Sequence, residues 1–219
     1  MADRKRVELI LQKLLKPAVW IGGLLPLALL LYAGATGGLE ADPVKDLTHR
    51  TGKAVLVLLL CTLAVTPVRR LTGWNAVIAA RRPLGLFAYF YAVLHFLVYL
   101  GDQGFAPGYI VEDVVEHPYV TAGFVALLLL TPLAVTSTKG WIKRLGKRWT
   151  MLHRLIYLAA ALGVIHFLWL VKKDLREPLV YAAILALLLA LRVPGWIEAR
   201  KKKQRRPAAV RVRSDAPAV

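Results

Sequence analysis

The sequence predicts an all-α membrane protein, a six-transmembrane-helix bundle with both termini in the cytoplasm. Hydrophobic residues make up 58% of the 219 residues and charged residues 20%, whereas about a quarter of a soluble domain is charged. The apolar residues fall into six runs, each long enough to cross a bilayer together with its flanking anchors. Of the 30 Lys and Arg residues, 24 lie in segments that this topology places on the cytoplasmic side.

Three regions follow from the pattern. Residues 1–16 are basic with interspersed apolar residues, which predicts an amphipathic segment on the cytoplasmic face. Residues 17–194 hold the six spans and form the transmembrane domain. Residues 195–219 are basic and low in packing capacity, which predicts a disordered cytoplasmic tail. The predicted spans are Pro17–Ala35, Thr48–Val68, Pro83–Gly101, Pro118–Thr136, Met151–Val171 and Pro178–Val193.

The first three spans each carry a local signal. The first contains no charge, and Pro26 in its middle is expected to kink it. The second has His49 at its outer end and is expected to close at Pro67. The third is rich in aromatic residues and has His95 deep within it.

The remaining spans are bounded by loops of opposite charge. An acidic loop, Asp102 to His117, precedes the fourth span, and a basic loop precedes the fifth. Nine of the 13 acidic residues fall on the predicted outer side. The net charge of +17 is therefore a topology signal and an attraction to anionic lipid, and no motif indicates nucleic-acid binding. The single cysteine, Cys61, excludes a disulfide framework.

Two histidines at one depth are the main functional signal. His95 lies 12 residues after Pro83, which is roughly 18 Å from the inner boundary at helical rise. His166 lies at a similar height on the fifth span. Intramembrane ionisable residues are functional candidates by default, and a six-coordinate heme b needs one imidazole on each side of its iron. The pair therefore predicts a heme b site, with both side chains as metal ligands.

The inner half of the membrane has one histidine, His153, and no second histidine to pair with it. Thirteen residues before His95 the third span has Arg82, with Arg81 beside it. One possibility is a second heme with a single histidine ligand. The alternative is that His153 and the two arginines bind a heme propionate, a flavin phosphate or a quinone, and the sequence leaves these open.

Two further histidines lie near the predicted outer face. His49 would contact the outer heme or bond one of its propionates, or would reach to the interface. His117 precedes a proline in the exposed acidic loop and is expected to lie outside the site.

Five sequence blocks resemble one known family. They are LTHRTG (47–52), RRPLGLFAYFYAVLH (81–95), HPYVTAG (117–123), LGKRWTMLHRLIYL (145–158) and IHFLWLVK (165–172). They resemble the MsrQ (YedZ) family, the heme-binding membrane subunits of the bacterial periplasmic methionine-sulfoxide reductase system. That family is part of the ferric-reductase-like transmembrane group. The resemblance covers residues 15–195.

The resemblance implies a multi-pass cytochrome b-type subunit of the bacterial inner membrane, which is not itself the catalytic subunit. It would take electrons from quinol or a cytoplasmic flavin reductase and pass them to a periplasmic molybdopterin enzyme that repairs oxidised methionines. Heme b and FMN are the implied cofactors. The family's heme histidines correspond to His95, His153 and His166, whereas the wider group's second histidine on the third span is replaced here by arginine. No Gly-rich phosphate loop marks an FMN site.

Two other functions compete. A membrane ferric or metal reductase of the same architecture would be supported by a fused cytoplasmic FAD/NADPH domain, which the sequence does not contain. A proton-coupled transporter would carry intramembrane acidic or basic residues as well as histidines, and we expect none within the interiors of the predicted spans.

Overall fold

The computed structural model describes residues 2–171, 173–195 and 197–198. Within these ranges the chain forms nine α-helices and one short 3-10 helix, Asn75–Val77. The predicted tail from residue 199 lies outside the described residues. The α-helices are α1 Ala2–Thr36, α2 Pro43–Thr72, α3 Ile78–Asp102, α4 Pro107–Glu116, α5 Pro118–Val135, α6 Lys139–Leu145, α7 Lys147–Leu152, α8 Leu155–Leu170 and α9 Arg176–Ala190.

The prediction of an all-α bundle with six spans is confirmed. Six helical stretches in the described part of the chain are long and apolar enough to cross a membrane. The side on which the termini lie stays a prediction. The six stretches are Val7–Thr36, Pro43–Thr72, Asn75–Asp102, Pro118–Val135, Lys147–Leu170 and Arg176–Gly195.

Helix α2 is the centre of the bundle. In its most apolar window 56% of the residues are buried inside the protein, against 6% for α1. One face packs with α3, α5 and α8 around Leu59, Tyr91 and Leu130. The other packs with α8 and α9 around Leu63 and Val164. Burial of apolar area within lipid adds little, so close packing holds these helices together.

Helix α2 does not end at Pro67, where the sequence predicted its end. It continues to Thr72 and ends at Gly73, whose φ of 69° is the left-handed cap conformation that glycine adopts without strain. Pro67 has no N–H, so it cannot bond the Leu63 carbonyl four residues earlier. Arg192 Nη2 donates to that carbonyl instead. The helix therefore tolerates the proline because a side chain from beyond α9 supplies the missing donor.

Helix α1 runs unbroken from Ala2 through Pro26, so the predicted surface segment 1–16 continues directly into the first span. The buried hydroxyl of Tyr91 in α3 donates to the Gly23 carbonyl at 2.7 Å and accepts from the Leu27 N–H at 2.9 Å. A regular helix pairs these two groups with each other. Inserting a side chain at this point is one recognised cause of helix bending.

The helices before and after the fourth and fifth spans differ in detail from the prediction. The acidic loop contains a helix of its own, α4. The predicted fifth span, Met151–Val171, is interrupted by a turn at His153–Arg154, which separates α7 from α8. His153 therefore lies at a helix boundary and not inside a continuous helix.

Candidate functional site

His95 lies in the middle of the bundle, where α3 packs along α2. Its Nδ1 is 3.0 Å from the Thr48 carbonyl oxygen and 3.2 Å from Thr51 Oγ1. Thr51, which is 1% exposed, donates its own hydroxyl hydrogen to Leu47 O. The imidazole of His95 is thus anchored to the first turns of α2.

His166 is anchored in the same manner by a different pair of helices. It lies on α8, which packs along α5, and its Nδ1 is 2.6 Å from the Tyr119 carbonyl oxygen. A carbonyl only accepts, so Nδ1 carries the proton in both rings and Nε2 carries the lone pair. A neutral imidazole held by Nδ1–H···O=C is the usual form of a metal-bound histidine.

The two imidazoles meet across a cavity. Their ring centres are 6.1 Å apart and their planes are inclined at 84°. Metal–imidazole bonds are about 2 Å long, so two rings on opposite sides of one metal would have their centres ~6 Å apart. Helices α3 and α8 face each other across this gap instead of packing along each other. The predicted meeting of His95 and His166 is therefore present in the fold.

The cavity has a volume of about 370 Å³, within the range of ~300–1,000 Å³ that is typical of ligand sites. Leu59, Leu130 and Ala159 line its apolar part, and the exposed Lys45 and Asp102 lie at its mouth. Among the described residues no group of three His, Cys, Asp or Glu side chains could hold a metal ion. The pair of imidazoles therefore suits a metal that brings its remaining ligands with it, as the iron of a heme does.

His49 also lines this cavity. Its ring packs edge-on against Phe167, with the ring centres 6.0 Å apart. Lys45 and Lys53 lie beside it at the mouth, and Lys53 is paired with Glu177 at 2.8 Å. The structure thus places His49 with His95 and His166, at the polar end of the same space.

The α4 helix is tethered to the rim of the cavity. Tyr99 donates to Asp113 at 2.6 Å, and the ring nitrogen of His117 lies 2.8 Å from the same carboxylate. His117 is 48% exposed and does not line the cavity, in accord with the expectation that it lies outside the site.

The other predicted residues lie outside the cavity. Arg81 donates to Thr66 Oγ1, and Arg82 is exposed. The ring of His153 stacks on Trp149 at 3.8 Å, and its Nδ1 is 3.1 Å from the Trp149 carbonyl. Its Nε2 is buried and makes no hydrogen bond of normal geometry, although the Leu133 carbonyl lies close enough to act on this ring. A buried unpaired imidazole nitrogen is unfavourable unless it binds something, so this atom fits a ligand at that end of the bundle.

Sequence reasoning missed two residues of the site and one buried residue elsewhere in the bundle. Gly52 and Gly123 lie directly against the rings of His95 and His166. Arg192, counted only as an inner charge, is 6% exposed and bonds Tyr157 and Leu63. A signal for the glycines was present in the spacing, because Gly52 precedes His95 by the same 43 residues by which Gly123 precedes His166.

Residues 51–164 match the family model of the ferric reductase like transmembrane component. A protein-methionine-sulfoxide reductase heme-binding subunit MsrQ from Deinococcus radiodurans is 54% identical over 175 residues, 80% of this chain and 87% of that protein. The chain belongs to the MsrQ family. MsrQ proteins of Xanthomonas axonopodis pv. citri (49% identical; 87% of this chain and 91% of that protein) and Bordetella pertussis (48%; 83% and 90%) are similarly close.

Membership confirms the resemblance drawn from the five sequence blocks. The matched region runs from Thr51 beside His95 to two residues before His166, so it includes the interior of the bundle. With six apolar helical stretches, this MsrQ-family chain is a multi-pass protein of the inner membrane. The relatives are named as heme-binding subunits of a reductase system.

Proposed function

We propose that the protein is the electron-transfer subunit of a methionine-sulfoxide reductase system, with heme b held between His95 and His166. The observation that carries the proposal is the geometry of this pair. The ring centres are 6.1 Å apart, and each Nδ1 is held on a backbone carbonyl. That arrangement leaves each Nε2 with a lone pair for a metal. The printed names of the relatives support the same group.

The chain itself would do three things at this site. The Thr48 and Tyr119 carbonyls hold the two rings in one tautomer and raise the basicity of Nε2. The apolar walls around Leu59 and Leu130 keep water from the site. At the mouth, His49 and Lys45 would bind the carboxylates of the group's edge. A heme bound here would supply a one-electron redox centre.

The direction of electron flow follows from the predicted topology. The cavity opens at the end of the bundle that bears Lys45, Asp102 and α4, which charge patterning assigns to the periplasm. We propose that a periplasmic molybdopterin catalytic subunit accepts electrons there and repairs oxidised proteins. Quinol or a cytoplasmic flavin reductase would donate them at the opposite end. The domain limits 17–194 and the amphipathic segment 1–16 belong to the same proposal.

The opposite end would bind a second group through His153. Its buried, unpaired Nε2 supports a ligand there, with Arg81 and Arg82 as candidate partners for an anionic part. For FMN the fit is incomplete, because the described residues contain no Gly-rich loop that would hold its phosphate.

Visible spectroscopy of the purified protein tests the main proposal. Oxidised and dithionite-reduced spectra should show a b-type cytochrome. His95→Ala and His166→Ala should lose the spectrum of this heme, because each removes one of the two imidazoles that would hold it. His117→Ala is the matched control, since His117 lies outside the cavity, and should keep it. A colourless wild-type protein would refute the proposal.

A membrane ferric or metal reductase is the second candidate, favoured by the match to the ferric reductase like family model. Reduced protein should deliver electrons to a periplasmic methionine-sulfoxide reductase faster than to ferric citrate. The opposite preference would establish the second candidate instead.

A further inference from the structure

The two imidazole sites have the same local design. An offset of 71 residues relates Thr48 to Tyr119, Gly52 to Gly123 and His95 to His166. In each copy a backbone carbonyl accepts from the imidazole, and a glycine follows that carbonyl by four residues. Because residues four apart lie on one face of a helix, the carbonyl and the glycine face the same ring.

The glycines allow each ring to approach the helix backbone. A Cβ built on Gly52 would lie 3.2 Å from His95 Cε1 and 3.4 Å from His95 Nδ1. A Cβ built on Gly123 would lie 2.9 Å from His166 Nδ1 and 3.0 Å from His166 Cε1. Carbon and nitrogen atoms in packed interiors are separated by about 3.5–4.0 Å. Any side chain at these positions would therefore push against the imidazole.

The rings have little freedom to give way. Their Nδ1 atoms are held at 3.0 Å and 2.6 Å from the carbonyl oxygens one helical turn before each glycine. A ring that moved away from a new methyl group would lengthen this hydrogen bond or rotate about it. Rotation changes the inclination between the two ring planes, which is 84°.

We infer that Gly52 and Gly123 are positioning residues that set the relative orientation of the two metal-ligating imidazoles. The inference rests on the proposed heme site. If these two imidazoles held a heme iron, their near-perpendicular planes would leave the two iron d orbitals that interact with the rings nearly equal in energy. Oxidised low-spin iron between them gives a strongly anisotropic electron paramagnetic resonance (EPR) signal, whereas turning the planes toward each other reduces the anisotropy.

The two positions differ in severity, and this provides an internal check. At Gly123 the added methyl group would lie closer than 3.0 Å to a ring atom, so the ring must shift. At Gly52 the approach of 3.2 Å requires a displacement of a few tenths of an ångström. Alanine is the better helix former, so helix stability alone predicts a gain from both substitutions.

The test compares Gly52→Ala and Gly123→Ala with Gly22→Ala and Gly101→Ala. The control glycines are also helical, and an added methyl group there meets nothing within 4 Å. For each protein the heme-to-protein ratio, the EPR g values and the midpoint potential are measured. We expect the controls to match wild type. The largest g value should fall and the potential should shift in both site variants, more in Gly123→Ala than in Gly52→Ala.

Unchanged g values and potential in heme-loaded Gly52→Ala and Gly123→Ala would overturn the inference while leaving the heme site intact. If Gly123→Ala does not fold, Gly52→Ala alone decides by the same criterion. A wild-type protein without heme would refute the proposed function itself, which is a different result.

Discussion

The substitution Arg192→Met should reveal how the bundle accommodates Pro67. Arg192 is buried and donates to Tyr157 and to the Leu63 carbonyl, which Pro67 leaves without its helical donor. A buried carbonyl left unpaired destabilises a protein by ~1–3 kcal/mol. Removing a buried charge acts in the opposite direction. We expect Arg192→Met to destabilise the protein by ~1–2 kcal/mol.

The decisive measurement is a double-mutant cycle with Pro67→Ala. This substitution restores an N–H that reaches the Leu63 carbonyl within α2, so the arginine is no longer needed there. We expect the destabilisation by Arg192→Met to shrink by ~1 kcal/mol in the Pro67→Ala background. Reversible unfolding in mixed micelles, followed by circular dichroism, measures each term. If the two effects add to within ~0.3–0.5 kcal/mol, the residues are independent and the reasoning is wrong.

Three further outcomes are expected. Tyr91→Phe should destabilise the protein by only ~1 kcal/mol, because the Gly23 carbonyl and the Leu27 N–H can then pair with each other. Tyr91→Ala should destabilise it by ~3–5 kcal/mol, because it also leaves a cavity. Unfolding in micelles measures both values, and equal losses would contradict this account. Glu177→Gln should change stability by less than ~1 kcal/mol, because its pair with Lys53 is half-exposed; a larger loss in the same assay would show a stronger role. Asp113→Asn should speed hydrogen exchange in α4 without loss of heme absorbance, since it weakens contacts to Tyr99 and His117 at the rim; unchanged exchange would mean that other contacts hold α4.

The elements that the sequence predicts well are those set by composition. Each span is a long apolar run whose position depends on few residues, so all six were predicted from the chain alone. The meeting of His95 and His166 was also predictable, because helical rise converts sequence distance from a membrane boundary into depth.

The features that the sequence did not predict depend on neighbouring helices. Gly52 is an ordinary helical glycine until α3 places His95 against it. Pro67 alone predicts the end of a helix. The helix continues because Arg192, at the end of the last span, donates to the Leu63 carbonyl that the proline leaves unpaired. The turn at His153 interrupts an apolar run that periodicity alone reads as one helix. Each of these is a tertiary effect that local pattern does not contain.

The hydroxyl of Tyr91 has a consequence for biosynthesis. Helix α1 is synthesised and enters the lipid before α3 exists, and an unpaired backbone group in hydrocarbon is unfavourable by several kcal/mol. Gly23 and Leu27 must therefore bond each other at first, and share the tyrosine only when the third span docks. Assembly of α1 onto the rest of the protein is thus an exchange of hydrogen-bond partners, in which the pair formed by Gly23 and Leu27 opens to admit a side chain from a later helix.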